Sequence, residues 1–204
     1  MSKTRNSDVP LTGIAIGAVA LALVVVFAVL LPKAQGDEAD TSRIDMPSSL
    51  PGGYVAADNA SAWKGNANVA GNEAQVAAEV KAEIKYGDAA LQKTTGGGFG
   101  NRIYIKGSSE IFFVQVFRAA GGAFSPGEIS DPSKLQQGSS VQQLVKVGNS
   151  TCIVDGTTAT AGQVTPSQTQ CQRSEGNVTV QVMAPSVAAS DVAKVADLVL
   201  AKVR

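Results

Sequence analysis

Histidine is absent from the sequence, and its absence excludes several classes of function. Without an imidazole, neither a Ser–His nor a Cys–His catalytic relay can form, and no metal site can use histidine ligands. The 204 residues also carry no surplus of either charge, because 17 basic side chains balance 17 acidic ones. A protein that grips nucleic acid needs a basic surface. We therefore expect no nucleic-acid partner.

Aromatic side chains are scarce as well, at 5% of the chain, so we expect a core of small and β-branched residues. The G-x-S-x-G motif of serine hydrolases does not occur. Carboxylates are scattered and lie mostly at turns, for example at Glu110, Glu128, Asp131 and Asp155. We predict a protein that is not an enzyme and that has no cofactor and no metal. An envelope hydrolase that pairs carboxylates distant in sequence is the alternative.

The N-terminal region contains one long apolar run. Residues 11–31 carry no charge and lie between Pro10 and Pro32. As a helix, this run spans roughly 30 Å, about the thickness of the hydrocarbon core of a bilayer. A cleaved signal peptide is the alternative, but its apolar stretch is usually about 7–15 residues, and the sequence Pro-Lys-Ala after the run is a poor cleavage site. We therefore predict an uncleaved transmembrane helix.

The segments on the two sides of this helix indicate the orientation of the chain. Residues 1–10 form a tail short enough to stay in the cytoplasm. Residues 32–51 are polar, acidic and interrupted by proline, which is typical of a disordered linker. Basic residues flank the span on both sides, so the tail length, the acidic linker and the cysteines decide the orientation. We predict a single-pass protein of the plasma membrane with a cytoplasmic N-terminus and an extracytoplasmic domain over residues 52–204.

Two cysteines, Cys152 and Cys171, bracket a stretch rich in Thr, Gln, Gly and Ala. A lone pair around one short segment is typical of a disulfide in an oxidising compartment, and two reduced thiols in a cytosolic domain are the alternative. The bond would close a long loop, which either only stabilises a modest core or also serves recognition. The side chains of that loop that could offer hydrogen bonds to a polar partner are Asp155, Thr157, Thr158, Thr160, Gln163 and Gln168.

Two helices are predicted in the domain. The first has Asn72 as its N-cap, an apolar stripe of residues spaced by four, and Gly87 at its end. The second, at the C-terminus, has Ser190 as its predicted cap. Its apolar face consists of Val192, Val195, Val199 and Val203.

Between the two helices, three pairs of strands are predicted around the turns at Gly107, Gly148 and Gly176. Residues 110–117 are apolar at both alternating sets of positions, which predicts a central strand covered on both faces. A short helical turn with Asp131 or Ser130 as its cap precedes the second pair. Tight turns join antiparallel strands, so we predict an α+β fold with an antiparallel sheet of about five to six strands and two packed α-helices.

The layout as a whole resembles the uncharacterised single-pass envelope proteins of high-GC Gram-positive (actinobacterial) bacteria. The shared features are a short tail, one helix, an acidic linker and a small α+β ectodomain with one disulfide. No functional residue follows from this resemblance. We expect a membrane-anchored extracytoplasmic binding or interaction domain, for example an accessory subunit of an envelope complex. Its expected partners are the membrane, through residues 11–31, and an unknown envelope protein or polar ligand.

Overall fold

All three predicted pairs of strands are present in the computed structural model, which describes residues 41–95, 97–107, 109–121, 127–159 and 162–204. The predicted tail, the apolar span and residues 32–40 of the linker lie outside these ranges. Among the described residues, no helix combines the length and the apolar character that a membrane crossing needs. The domain has an α+β fold, as predicted. Its helices and strands, in chain order, are β1 (Ser49–Leu50), β2 (Tyr54–Ala56), α1 (Glu73–Thr95), β3 (Phe99–Lys106), β4 (Glu110–Phe117), β5 (Ser140–Val147), β6 (Ser150–Thr158), β7 (Val164–Glu175), β8 (Val178–Pro185) and α2 (Ala189–Val203).

Eight strands of the described chain form one antiparallel sheet in the order β1-β2-β3-β4-β8-β7-β6-β5. The prediction of about five to six strands was too low. The two additional strands, β1 and β2, contain two and three residues, too few to show an alternating pattern. The pairing of β4 with β8 joins the first four strands to the last four.

One face of the sheet is covered by α2, which packs on β7 and β8 and reaches β6 and β5. The predicted apolar face of this helix is confirmed, because Val192, Val195 and Val199 are fully buried. They pack in one core cluster with the side chains of β4 and β8 that point to this face, Phe112, Val114, Val116, Val180 and Val182. These alternate positions of the two strands form the main core of the domain.

Ser190 does not cap α2, contrary to the sequence prediction. The N-cap is Ala188, two residues earlier, and it makes no side-chain hydrogen bond; the helix begins at Ala189. Contacts with β7 hold the entry to the helix instead, because the hydroxyl of Thr169 donates to the carbonyl of Val187 at 2.7 Å. This buried contact holds the chain where it enters the helix, but it does not accept from the free amide groups of the first turn, as a capping side chain would.

The opposite face of the sheet is covered only in part, by α1, which packs on β3 and on the 3₁₀ turn Ala60–Trp63. Its contacts belong to a smaller cluster that includes Val80, Ile103 and Ile111. Further along the sheet, Phe113 of β4 keeps 39% of its surface exposed. The prediction that β4 is central is confirmed, but the prediction that both of its faces are covered is wrong, because α1 does not extend over this part of the strand.

Gly87 does not end α1, which continues to Thr95. A glycine inside a helix costs about 1 kcal/mol relative to alanine, so it weakens a helix without being forced to end it. At this position a Cβ atom would lie 3.2 Å from Nδ2 of Asn101 on β3. Gly87 therefore lets the helix approach the sheet closely.

Residues 41–50, assigned to the linker from the sequence, pack against the edge of the sheet. The amide of Ile44 donates to the carbonyl of Phe99 at 2.8 Å, and the side chains of Ile44 and Leu50 are buried. This approach requires Gly100, because a Cβ atom there would lie 2.7 Å from the carbonyl oxygen of Ile44. The described domain thus includes residues before position 52.

Cys152 and Cys171 are bonded to each other, as predicted. They lie directly opposite one another on β6 and β7, with their Cα atoms 4.0 Å apart. Both are fully buried in the core cluster beneath α2. The bond therefore crosses the sheet inside the core and does not close the base of an exposed loop.

Replacing Cys152 and Cys171 together by alanine should lower the free energy of unfolding by about 2–4 kcal/mol, since the unfolded chain gains freedom when the link is lost. The single tryptophan, Trp63, reports unfolding by its fluorescence, so urea titration of the full-length chain in lipid nanodiscs measures the effect. Replacing both cysteines by serine should lower the free energy of unfolding further, because the two hydroxyls would be buried in an apolar core. Two reactive thiols in denatured, unreduced wild-type protein would contradict the bond.

Candidate functional site

The candidate recognition loop over residues 155–168 is a hairpin, and most of its predicted residues belong to strands. β6 holds Asp155, Thr157 and Thr158, β7 holds Gln168, Gln163 lies in the connecting turn, and Thr160 lies outside the described residues. The threonines on both sides of the turn suit strands because they are β-branched. A register shift between Asp155 and Gly156 lets the two strands remain paired.

The side chains of Thr158 and Asp155 form hydrogen bonds inside the domain. Thr158 is buried, and its hydroxyl donates to the carbonyl of Gln136 and accepts from the amide of Ser139 at 3.1 Å. A carboxylate oxygen of Asp155 accepts from Nε2 of Gln142 on β5 at 2.6 Å. These side chains therefore hold neighbouring segments in place. Thr157 and Gln168 remain exposed.

Two of the scattered carboxylates that the hydrolase alternative requires lie at the same surface depression. Glu128 and Asp155 line one surface depression of about 420 Å³ together with Ser130, Ser140 and Ser167. Asp155 is already engaged by Gln142, as described above. Over the described ranges, no three or more Asp, Glu, Cys or His side chains are grouped so that they could hold a metal ion.

The remaining two carboxylates lie apart from this depression. Glu110 faces Lys106 at 3.5 Å across the turn between β3 and β4. Asp131 caps the 3₁₀ turn Pro132–Lys134 by accepting from the amide of Ser133. The sequence prediction of a cap at Asp131 or Ser130 is thus confirmed for Asp131.

A groove lies between α1 and the part of the sheet that α1 does not cover, and we call it the helix–sheet groove. Its volume is about 310 Å³, which is at the lower end of the range for small-molecule sites. One wall is the surface of α1, and the floor is the uncovered part of β3, β4, β8 and β7. The residues that line it are Glu83, Ile84, Asn101, Ile103, Phe113, Gln115, Gln170, Gln181, Val182 and Met183.

The register of the strands places polar and apolar side chains of the groove in two neighbouring rows. One row runs from Asn101 through Gln115 to Gln181, which are successive cross-strand partners. The other runs from Ile103 through Phe113 and Met183 to Gln170. Carboxamides thus stand beside an apolar strip on strands in the middle of the sheet.

A repeated tripeptide in the sequence is the signal that could have indicated this groove. The tripeptide Val-Gln-Val occurs in β4 as residues 114–116 and in β8 as residues 180–182. The two copies pair in register, with Gln115 opposite Gln181. A polar residue between buried valines indicates a strand with one exposed face, but their pairing is not visible in the sequence.

A second, charged cleft of about 420 Å³ shares Ile84 and Asn101 with the helix–sheet groove and lies toward the sheet edge. Arg102 of β3 organises it. Its guanidinium donates to both carboxylate oxygens of Asp58, at 3.2 and 2.7 Å, and to the carbonyl of Met46 at 2.5 Å. These contacts hold the loop after β2 and the segment before β1 against β3.

The other ion pair of this cleft joins Arg43 to Asp88 of α1 at 2.5 Å. Asp88 is only 9% exposed, and its second carboxylate oxygen has no hydrogen-bond partner among the described residues. Burial raises the pKa of this carboxyl, and the positive charge of Arg43 lowers it less. Relative to the unfolded chain, the fold therefore shifts the protonation equilibrium of Asp88 toward the neutral form.

Asp88→Asn should become more stable relative to the wild type as the pH rises from about 3 to 7. Because the folded-state pKa of Asp88 is raised, the stability this group contributes is present below the unfolded pKa and is lost as the pH rises through the folded pKa. Urea titrations of full-length chain followed by Trp63 fluorescence measure the difference at each pH.

Asp131→Asn is the matched control for this prediction. The hydroxyl of Ser133 and its backbone amide lower the pKa of Asp131, so the wild type should gain stability relative to this variant over the same rise in pH. The same direction of change in both variants would contradict the interpretation of Asp88.

Comparison with protein families, with curated proteins and with solved structures finds no match for this chain. No relative therefore lends it a substrate, a partner or a catalytic residue. The geometry of the helix–sheet groove and of the charged cleft is what bears on the function of the domain.

Proposed function

We propose that the chain is a membrane-anchored extracytoplasmic interaction domain that holds its partner in the helix–sheet groove. Residues 11–31 anchor it in the plasma membrane, residues 1–10 stay in the cytoplasm, and the folded domain lies outside. An accessory subunit of an envelope complex would have this design. No catalytic step is part of the proposal.

The observation that carries this proposal is the exposure of Phe113 in the middle of the sheet. Its flanking neighbours Phe112 and Val114 are fully buried on the other face, so the strand cannot turn this side chain inward. An aromatic ring on a rigid central strand, next to carboxamides, is typical of a binding surface. The groove is therefore the region where we expect contact with a partner to contribute most to the free energy of binding.

The disulfide supports the extracytoplasmic location. Cytosolic reductants keep thiols reduced, whereas bonds such as Cys152–Cys171 persist in oxidising compartments. Both sulfur-bearing residues are fully buried, so the bond is part of the core of the domain. A domain built in this way suits the outer side of a membrane.

Photo-crosslinking at the groove tests the proposal in cells that make the full-length chain. A benzoyl-phenylalanine at position 113 should yield a discrete crosslinked product. The matched control is position 144, because Leu144 is similarly exposed, at 42%, and does not line the groove. Protease added to intact, wall-stripped cells should digest the domain and remove the product.

Three outcomes would contradict the proposal. Identical products from positions 113 and 144 would mean that the groove has no special role. The absence of any product from position 113 would mean that no partner binds in the groove. Protection of the domain from external protease would place it on the cytoplasmic side.

A further inference from the structure

The helix–sheet groove presents four side-chain amides among its lining residues. Asn101, Gln115 and Gln170 make no side-chain hydrogen bond to any described residue, and Gln181 donates to Gln172 at 3.3 Å. Each carboxamide offers two donors and an acceptor with two lone pairs. A ligand that combines donors and acceptors in every polar group, as hydroxyls do, matches such a lining.

The charges of the groove argue against an ionic ligand. Glu83 is the one charged side chain among the described residues that line it. A phosphate or carboxylate would meet this negative charge and no lysine or arginine of the lining. A cation would have to give up its hydration shell, and only the carboxylate of Glu83 among the lining residues would compensate for that cost. The lining is therefore complementary to an uncharged polar ligand.

The floor of the groove argues against an extended peptide. A peptide that adds to a sheet is bound by the unpaired backbone of an edge strand. Here β4 and β8 are central, and their backbone groups pair with the neighbouring strands. Recognition in the groove must therefore come from side chains, the amides together with the exposed ring of Phe113.

We propose that the groove binds an uncharged carbohydrate of one or two sugar rings, with carboxamides of Gln115 and Gln181 bonding to hydroxyls and Phe113 packing on the C–H face of a ring. The negative face of an aromatic ring attracts such C–H groups. The volume of about 310 Å³ accommodates a ligand of this size. This assignment rests on the proposed function, since it names the ligand class of the same groove.

Titration of isotope-labelled full-length chain in lipid nanodiscs tests the assignment. The probes are the disaccharides maltose, cellobiose, mannobiose and N,N′-diacetylchitobiose, and the comparison ligands are glucuronic acid and an uncharged peptide, acetyl-trialanine amide. At least one neutral saccharide should shift the side-chain amide signals of Gln115 and Gln181, and the acid and the peptide should not. Nanodiscs are used because the sugar headgroups of common detergents would compete with the saccharides for the groove.

Variants of the groove sharpen the test. Gln115→Leu and Gln181→Leu should each weaken saccharide binding about three- to tenfold, the effect of losing one hydrogen bond. Gln168→Leu is the control, because Gln168 lies on β7 outside the groove and is exposed. Phe113→Leu should also weaken binding, since it keeps an apolar side chain but removes the ring.

The assignment fails if none of the four saccharides shifts the groove signals, or if the shifts appear elsewhere. It also fails if the peptide shifts them and the saccharides do not. In each of these cases the crosslink at position 113 still tests the proposed function independently. A crosslink without saccharide binding would keep the groove as an interaction surface for a ligand of another class.

Discussion

The pairing of β4 with β8 is the constraint on which the rest of the domain depends. It joins strands that are more than 60 residues apart in sequence and aligns Val114 with Val182 and Val116 with Val180. All four valines are fully buried under α2, and burial of such a side chain contributes about 1.5–3 kcal/mol. The same register places Gln115 opposite Gln181 on the other face. One pairing therefore forms both the core and the floor of the groove.

The unequal coverage of the two faces then produces the site. α2 has an unbroken apolar face and lies on the half of the sheet that contains the disulfide. α1 has fewer buried side chains, with Ala77 and Asp88 as its buried positions among those described, and it covers the region of β3. The uncovered strip between α1 and the far strands leaves Phe113 exposed. The groove is thus a consequence of which strands each helix covers.

Local patterns were sufficient to predict the helices, the three strand pairs and the disulfide, because turn glycines, apolar stripes and cysteine spacing are all short-range signals. They could not reveal which strands of different hairpins pair, so the row of Asn101, Gln115 and Gln181 was missed. They also predicted wrongly that α1 ends at Gly87. The role of this glycine depends on its contact with Asn101, which is distant in sequence. The extension of β6 and β7 past the cysteines places four of the predicted recognition residues, Asp155, Thr157, Thr158 and Gln168, in strands. Thr158 is buried there.

Backbone NOEs between β4 and β8 in the full-length chain test this pairing most directly. We expect cross-strand contacts between residues 113–117 and 179–183, with the register that sets Gln115 against Gln181, and slow amide exchange in both strands. Contacts of β4 with β5 instead, or rapid exchange of β8 as an edge strand, would contradict it. Either result would remove the shared origin of the core and the groove.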